Sequence, residues 1–263
     1  MKTQKIYQID AFADALFQGN PAAVCILVSW LPEDVMQKIA MENNLAETAF
    51  VVPEGKHYHI RWFTPELEVD LCGHATLASA YVLFHNYSHP TDTIHFFSQR
   101  SGELIVQREK SGYITLNFPT DTLKEVPPSQ KMAEALGKTP LKTFKGKTDY
   151  LLVYESEDII RSLKPNFFLL DEVEARGVIV TSPGKEADMV SRFFAPRCGI
   201  NEDPVTGSAH TSLTPYWSKR LGKTELVAKQ LSARGGTIHC TYLGDRVLIS
   251  GKAVPYLSGE IIL

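Results

Sequence analysis

The sequence contains no apolar run of the roughly 20 residues that a membrane-spanning helix needs; its most apolar stretch, residues 22–31, falls well short. Its first residues, MKTQKIYQIDAF, lack the apolar centre of a secretory leader. Basic charge is not in excess: 27 Lys and Arg stand against 30 Asp and Glu, a net charge of −3, so nothing advertises a nucleic-acid or anionic-membrane surface. Cysteines are few, and Cys25, Cys72, Cys198 and Cys240 form no Cys-x-x-Cys pair of the kind found in zinc sites and redox dithiols. No G-x-G-x-x-G follows a strand-like run, and no phosphate loop of the form G-x-x-x-x-G-K-S/T occurs. These absences lead us to expect a cytoplasmic protein with reduced thiols, no nucleic-acid partner and no membrane partner.

What is present is a globular composition, 44% hydrophobic and 22% charged, on a chain of 263 residues. At ~150 residues per domain this is one large domain or two medium ones. An internal repeat favours two. The first copy reads Phe50-Val51-Val52-Pro53, a turn, Arg61-Trp62-Phe63-Thr64-Pro65, then Cys72-Gly73-His74-Ala75; the second reads Val178-Ile179-Val180-Thr181-Ser182-Pro183, a turn, Arg192-Phe193-Phe194-Ala195-Pro196, then Thr206-Gly207-Ser208-Ala209. Arg61 and Arg192 are 131 positions apart and Gly73 and Gly207 are 134 apart, so three residues are inserted in the second copy. A period this long indicates duplicated lobes rather than a solenoid.

Polar helices are predicted near residues 33–43 and 157–163, and strand-like runs near residues 5–12, 23–28, 93–97, 102–107, 113–118, 150–153, 237–242 and 246–250. Residues 74–84 are apolar all round and predict a buried helix, whereas residues 208–220 contain Pro215, which should kink or divide that helix. The expected fold class is α+β: two pseudo-equivalent lobes, each a barrel-like sheet around a central buried helix. Residues 1–119 form the first lobe, with strand 257–263 packing back on it; residues 120–140 form a linker and residues 141–256 the second lobe.

Chemistry is expected where the two buried helices begin. Gly73-His74 and Gly207-Ser208 open them, and the first N–H groups of a helix lack intrahelical acceptors. If the two starts face one cleft, they form a socket for an anion. Glu47 lies on the alternation face of Leu45, Ala49 and Val51, and a carboxyl on an apolar face is either at a solvent edge or desolvated and suited to proton transfer. Counting forward 131 positions lands on Val178, so this acid has no counterpart in the second copy. Asp203, in the inserted loop before Pro204, reads as a turn residue or a site residue, and His74 as a helix-start histidine or a site residue. Cys72 and His74 could suggest a nucleophile or a ligand pair, but Thr206 replaces the thiol in the second copy and no further ligand spacing completes a metal site.

The ordered motifs Asp10-Ala11-Phe12 with Phe17-Gln18-Gly19-Asn20-Pro21, Asn44-Leu45-Ala46-Glu47-Thr48, Arg61-Trp62-Phe63-Thr64-Pro65, Asp70-Leu71-Cys72-Gly73-His74-Ala75 and Glu202-Asp203-Pro204-Val205-Thr206-Gly207-Ser208-Ala209-His210 resemble the phenazine-biosynthesis PhzF family. The resemblance implies a diaminopimelate epimerase-like fold with the active site between two lobes. It implies isomerisation without metal or organic cofactor, in which a proton is removed at one carbon of a small carboxylate-bearing substrate and redelivered at another. Carried over position by position, Glu47 is the acid/base and His74 and Asp203 position or polarise the substrate. Gly73, Gly207 and Ser208 meet its carboxylate, and Asn20 lines the same cleft. A homodimer is usual for that family. Related epimerases and racemases place a thiol in each lobe, and Thr206 departs from that pattern. A racemase or epimerase using Glu47 in place of the second thiol, and a non-catalytic small-anion binding protein, are the rival readings.

Overall fold

The computed structural model describes residues 3–263. Two compact units emerge: the chain up to Asn117 together with Ser250–Leu263, and Phe118–Ile249. In chain order the elements are β1 (Thr3–Ala11), β2 (Asn20–Ile26), α1 (Glu33–Asn43), β3 (Glu47–Glu54), β4 (His57–Phe63), β5 (Glu68–Val69), α2 (Gly73–Asn86), β6 (Thr93–Ser98), β7 (Gly102–Arg108) and β8 (Ile114–Pro119). There follow β9 (Lys124–Val126), α3 (Gln130–Leu136), β10 (Lys142–Lys145), β11 (Asp149–Val153), α4 (Glu157–Ser162), α5 (Phe167–Asp171), β12 (Gly177–Pro183), β13 (Met189–Ala195) and β14 (Ile200–Asp203). Last come α6 (His210–Leu221), β15 (Glu225–Gln230), β16 (Gly236–Tyr242), β17 (Arg246–Gly251) and β18 (Ala253–Ile262). Among the described residues no helix is long and apolar enough to cross a membrane.

The repeat in the sequence is a repeat in topology. In the first unit the strands lie in the order β18-β1-β2-β3-β4-β6-β7-β8, with β2–β3 and β4–β6 parallel and every other step antiparallel. In the second, β9-β10-β11-β12-β13-β15-β16 has β11–β12 and β13–β15 parallel and the rest antiparallel. A parallel step requires a crossover, usually a helix. Those crossovers are where α1, α2, the pair α4 and α5, and α6 occur.

The repeated Arg-aromatic-Phe motif has a structural cause. Arg61 donates from Nε to Glu68 Oε1 at 2.7 Å and its guanidinium lies 5.1 Å from the centre of the Phe63 ring. Arg192 repeats this with Glu202 Oε1 at 2.7 Å and Phe194 at 4.9 Å. The three inserted residues fall between these partners, where the second copy makes a 3₁₀ turn at Pro196–Cys198.

Helix α2 is buried from His74 to Ala80 and again from Val82 to Phe84, as its composition predicts. Two of its buried polar side chains are satisfied within the helix: Thr76 Oγ1 donates to the Cys72 carbonyl at 2.6 Å and Ser79 Oγ to the Ala75 carbonyl at 2.7 Å. On the far side of β2 and β3, Met36, Ile39 and Ala40 of α1 pack with Ala23, Cys25, Phe50 and Phe63. The second unit has its own core of α3, α4, α5, β12 and β13 side chains, including Met132, Leu136, Ile160, Leu170, Val180 and Phe194.

Three sequence expectations change. Residues 120–140 are not a separate linker but part of the second unit. Strand β9 pairs with β10, while α3 is capped by Ser129 Oγ, which accepts from Met132 N at 3.3 Å, and buries Met132, Ala135 and Leu136. The return to the first unit begins at Ser250 rather than residue 257, because β18 pairs along all of β1, from Ala11 with Ala253 to Thr3 with Ile262. Pro215 does not divide α6; the Thr211 carbonyl, which would accept from residue 215 in an uninterrupted helix, accepts the Asp121 N–H at 3.2 Å.

The ladders also correct the register of the repeat by one residue. Thr48 pairs with Phe63 and Val178 with Phe194, so the equivalent of Glu47 is Gly177 and not Val178. A Cβ on Gly177 would lie 2.2 Å from Cζ of Phe193, whose ring fills the space. Gly177→Ala should therefore destabilise the protein by roughly 1–3 kcal/mol through overpacking. Urea denaturation of the variant against the wild type checks this, and unchanged stability would show that the Phe193 ring yields freely.

Candidate active site

In the first unit, three element starts converge. Asn20 opens β2, Glu47 opens β3, and His74 is the second residue of α2. The parallel register places Glu47 beside Ala22. Glu47 Oε2 lies 3.1 Å from His74 Nε2, with side chains 12% and 6% exposed. That oxygen is buried and has no aligned hydrogen-bond partner, so the pair is an ion-pair contact that leaves the carboxylate unsaturated. On the other side of the ring, Asn20 Nδ2 is 3.2 Å from His74 Nδ1 and Cys72 Sγ is 3.5 Å from it.

Burial pulls the His74 imidazole pKa down, while the neighbouring Cys72 sulfur and Glu47 carboxylate pull it up; the upward effect prevails and the pKa stands well above its ordinary value. Of the two neighbours, Cys72 is a neutral thiol across the physiological range, since burial and then the Glu47 charge push it up to about 11. With Asn20 Nδ2 donating to Nδ1, the ring proton sits on Nε2, the nitrogen nearer Glu47 but not aligned on its oxygen; a half-turn of the amide presents its carbonyl to a doubly protonated ring. The carboxamide has a partner group for either protonation state.

Glu47, Cys72 and His74 each bring a donor atom within 4.8 Å of the others, a triad that the spacing of Cys72 and His74 alone did not disclose.

In the second unit, Asp203 is the last residue of β14, paired with Phe193, rather than a loop residue. Its equivalent in the first unit is Val69, which pairs with Trp62. Asp203 is 8% exposed and its Oδ2 accepts from Thr206 Oγ1. Gln230, buried at the end of β15, clasps the same segment: its Nε2 donates to the Asp203 carbonyl at 2.7 Å and its Oε1 accepts from Thr206 N at 2.9 Å. Ser208 Oγ accepts from Arg176 Nη2 at 3.1 Å, and Arg176 is itself gripped at two points by the buried carboxylate of Asp149.

Gly207 and Ser208 precede α6 instead of opening it. The N–H groups of His210, Thr211 and Ser212 donate three residues back, to Gly207, Ser208 and Ala209, before the α pattern begins with Leu213 to Ala209. The tight first turn leaves the N–H groups of Gly207, Ser208 and Ala209 without intrahelical acceptors.

Gln230, Arg176, Asp149 and His210 were not singled out by sequence. Gln230 carried a signal, since it shares an alternation face with buried Leu226 and Ala228. His210 is the positional equivalent of Thr76, and both secure the carbonyl that precedes their helix: His210 Nδ1 donates to the Thr206 carbonyl at 2.9 Å.

Burial pushes the His210 imidazole down from 6.5 to about 4, against a smaller opposite effect of the Thr206 carbonyl. A lowered histidine pKa means that the unfolded chain binds the proton more readily between those values. Stability should fall by roughly 3 kcal/mol as pH drops from 6.5 toward 4. His74 acts in the other direction and in another window: its raised pKa contributes stability that is full below 6.5 and lost above it. Chemical denaturation from pH 7 to 4.5 should show the slope, and His210→Gln should flatten it; an equal slope in the variant would assign the acid sensitivity elsewhere.

Residues 9–259 match the family described as phenazine biosynthesis-like protein, PhzC-PhzF. A Pseudomonas aeruginosa protein named as an uncharacterized isomerase is 51% identical over 258 residues, covering 98% of each chain. The crystal structure of a phenazine biosynthesis protein of the PhzF family from Enterococcus faecalis superposes with a TM-score of 0.96 at 48% identity, over 100% of both chains. A predicted epimerase from Pseudomonas aeruginosa, at 20% identity over 99% of both chains and a TM-score of 0.75, shares the fold. The chain belongs to the PhzC-PhzF family of phenazine biosynthesis-like proteins, and is by class an isomerase.

Proposed function

We propose that the protein is a cofactor-independent isomerase that moves a proton within a small carboxylate-bearing metabolite, with Glu47 as the group that removes and returns it. The observation that carries this reading is the buried, unsaturated Glu47 Oε2 held 3.1 Å from His74 Nε2. An unsatisfied buried polar atom calls for an explanation, and a catalytic role is one.

In the proposed step the Glu47 carboxylate takes a proton from a C–H bond and becomes a carboxylic acid. The electron pair left on carbon spreads into the conjugated substrate. Glu47 then returns the proton to a different carbon, so nothing is consumed and the product is an isomer. His74 lies against the Glu47 carboxylate through Nε2, and Asn20 holds the ring at Nδ1. Asp203 orients the substrate, while Gly73, Gly207 and Ser208 meet its carboxylate. The Ser208 hydroxyl suits this role, because accepting from Arg176 leaves its own proton free to donate.

Glu47→Gln should fold, being nearly isosteric, and should lose about 100- to 10,000-fold in turnover and in exchange of substrate C–H with solvent deuterium. Mass spectrometry of a panel of conjugated ring and enol carboxylates in deuterated buffer provides the measurement; wild-type exchange in the variant would remove Glu47 from the role. Cys72→Ser should reduce turnover by less than roughly tenfold, equivalent to ~1.4 kcal/mol of barrier. A collapse matching that of Glu47→Gln, with the fold intact, would instead assign the chemistry to a thiol, as in a racemase or epimerase.

A further inference from the structure

Three imidazoles share the outward face of the first unit's sheet and take no part in the site described above. His57 and His59 are two residues apart on β4, so both project from one side of it. Strand β6 runs parallel beside β4 with His59 opposite Phe97, which brings His95 next to His57. The His57 and His95 rings meet edge to face with centroids 5.8 Å apart.

Two carboxylates frame them. Glu54, the cross-strand partner of His57, reaches His59 Nε2. Glu103, opposite Phe97 on β7, lies 2.8 Å from His95 Nδ1. Glu54, His57, His59 and Glu103 line a surface hollow of about 510 Å³ whose remaining wall is Phe96 and Phe97.

We propose that this face binds a divalent transition-metal ion through His57 and His95, with His59 or Glu54 as the third ligand once the bond between those two opens. Imidazole pairs favour nickel, copper and zinc over magnesium and calcium. The Glu103 carboxylate on Nδ1 of His95 fixes the tautomer that leaves Nε2 as the ligand atom, which is the usual outer support of a metal-bound histidine.

The side chains of His59 and His95 are 33% and 39% exposed, so their rings can turn toward a common ion. Among the described residues only Glu47, Cys72 and His74 already gather three donor atoms within 4.8 Å. The outward face reaches its metal geometry by side-chain rotation.

The test is calorimetric titration of the untagged, chelator-treated full chain with nickel chloride at neutral pH, repeated with magnesium chloride. Nickel should bind and magnesium should not. His57→Gln and His95→Gln should each weaken nickel binding by about tenfold or more, and Glu103→Gln by about tenfold through the lost support of the ring. Cys72→Ser should leave nickel binding unchanged. No nickel uptake by the wild type, equal uptake by the His57→Gln/His95→Gln double variant, loss in Cys72→Ser, or equal binding of magnesium would each overturn the proposal. Should a variant fail to fold, selective nickel broadening of the His57 and His95 ring protons in the wild-type NMR spectrum supports the site, and uniform or absent broadening overturns it.

Discussion

The parallel pairing of β2 with β3 is the constraint on which the candidate site depends. Because α1 carries the chain back before β3 begins, both strands start at the same end, and their first residues, Asn20 and Glu47, arrive there together. Both faces of this pair are buried, α1 covering one and α2 the other. The register of Ala22 with Glu47 selects the face on which the carboxylate emerges. A slip of one residue in β3 would turn it toward Met36 and Cys25 and away from His74. The backbone ladder thus fixes where these side chains begin.

The duplication separates what the fold repeats from what it does not. The arginine, its glutamate and the phenylalanine beneath it recur in both units, as does the side chain that secures the carbonyl before the central helix, Thr76 in one and His210 in the other. The acids do not recur. Glu47 is matched by Gly177 under the ring of Phe193, and Asp203 is matched by Val69. Glu47 and Asp203 are unrepeated carboxylates at different points of the same scaffold, and the buried Asp149, matched by Ala22, is a third.

Much of this was legible in the sequence because its cause is local. The all-apolar course of residues 74–84 requires a buried helix, the repeated motif requires two related units, and a carboxyl among Leu45, Ala49 and Val51 stands out whatever surrounds it. What was not legible depends on geometry between distant segments. The equivalence of Glu47 with Gly177 rests on turn length: four residues separate the paired Pro53 and Tyr58, and five separate Pro183 and Met189. The start of α6 was misplaced because a 3₁₀ turn and a helix share the same residue preferences. Arg176 and Asp149 are 27 residues apart and nothing in their neighbourhoods announces the pair. Residues 120–140 read as a linker because they are rich in Pro, Lys, Asp and Thr, yet Pro127 and Pro128 directly precede the Ser129 cap of α3.

Pro215 has an effect beyond its own helix. By withholding an N–H it leaves the Thr211 carbonyl open, and the chain entering the second unit fills that vacancy with the Asp121 amide, while the Asp121 carboxylate accepts from Ser212 Oγ at 2.7 Å and from Lys147 N at 3.1 Å. One aspartate therefore ties the entry segment, the central helix and the turn before β11. None of the three can fray alone without exposing an unpaired group on another, so they open to solvent as a single cooperative element. A residue usually regarded as a helix breaker has become the point at which the second unit is laced shut.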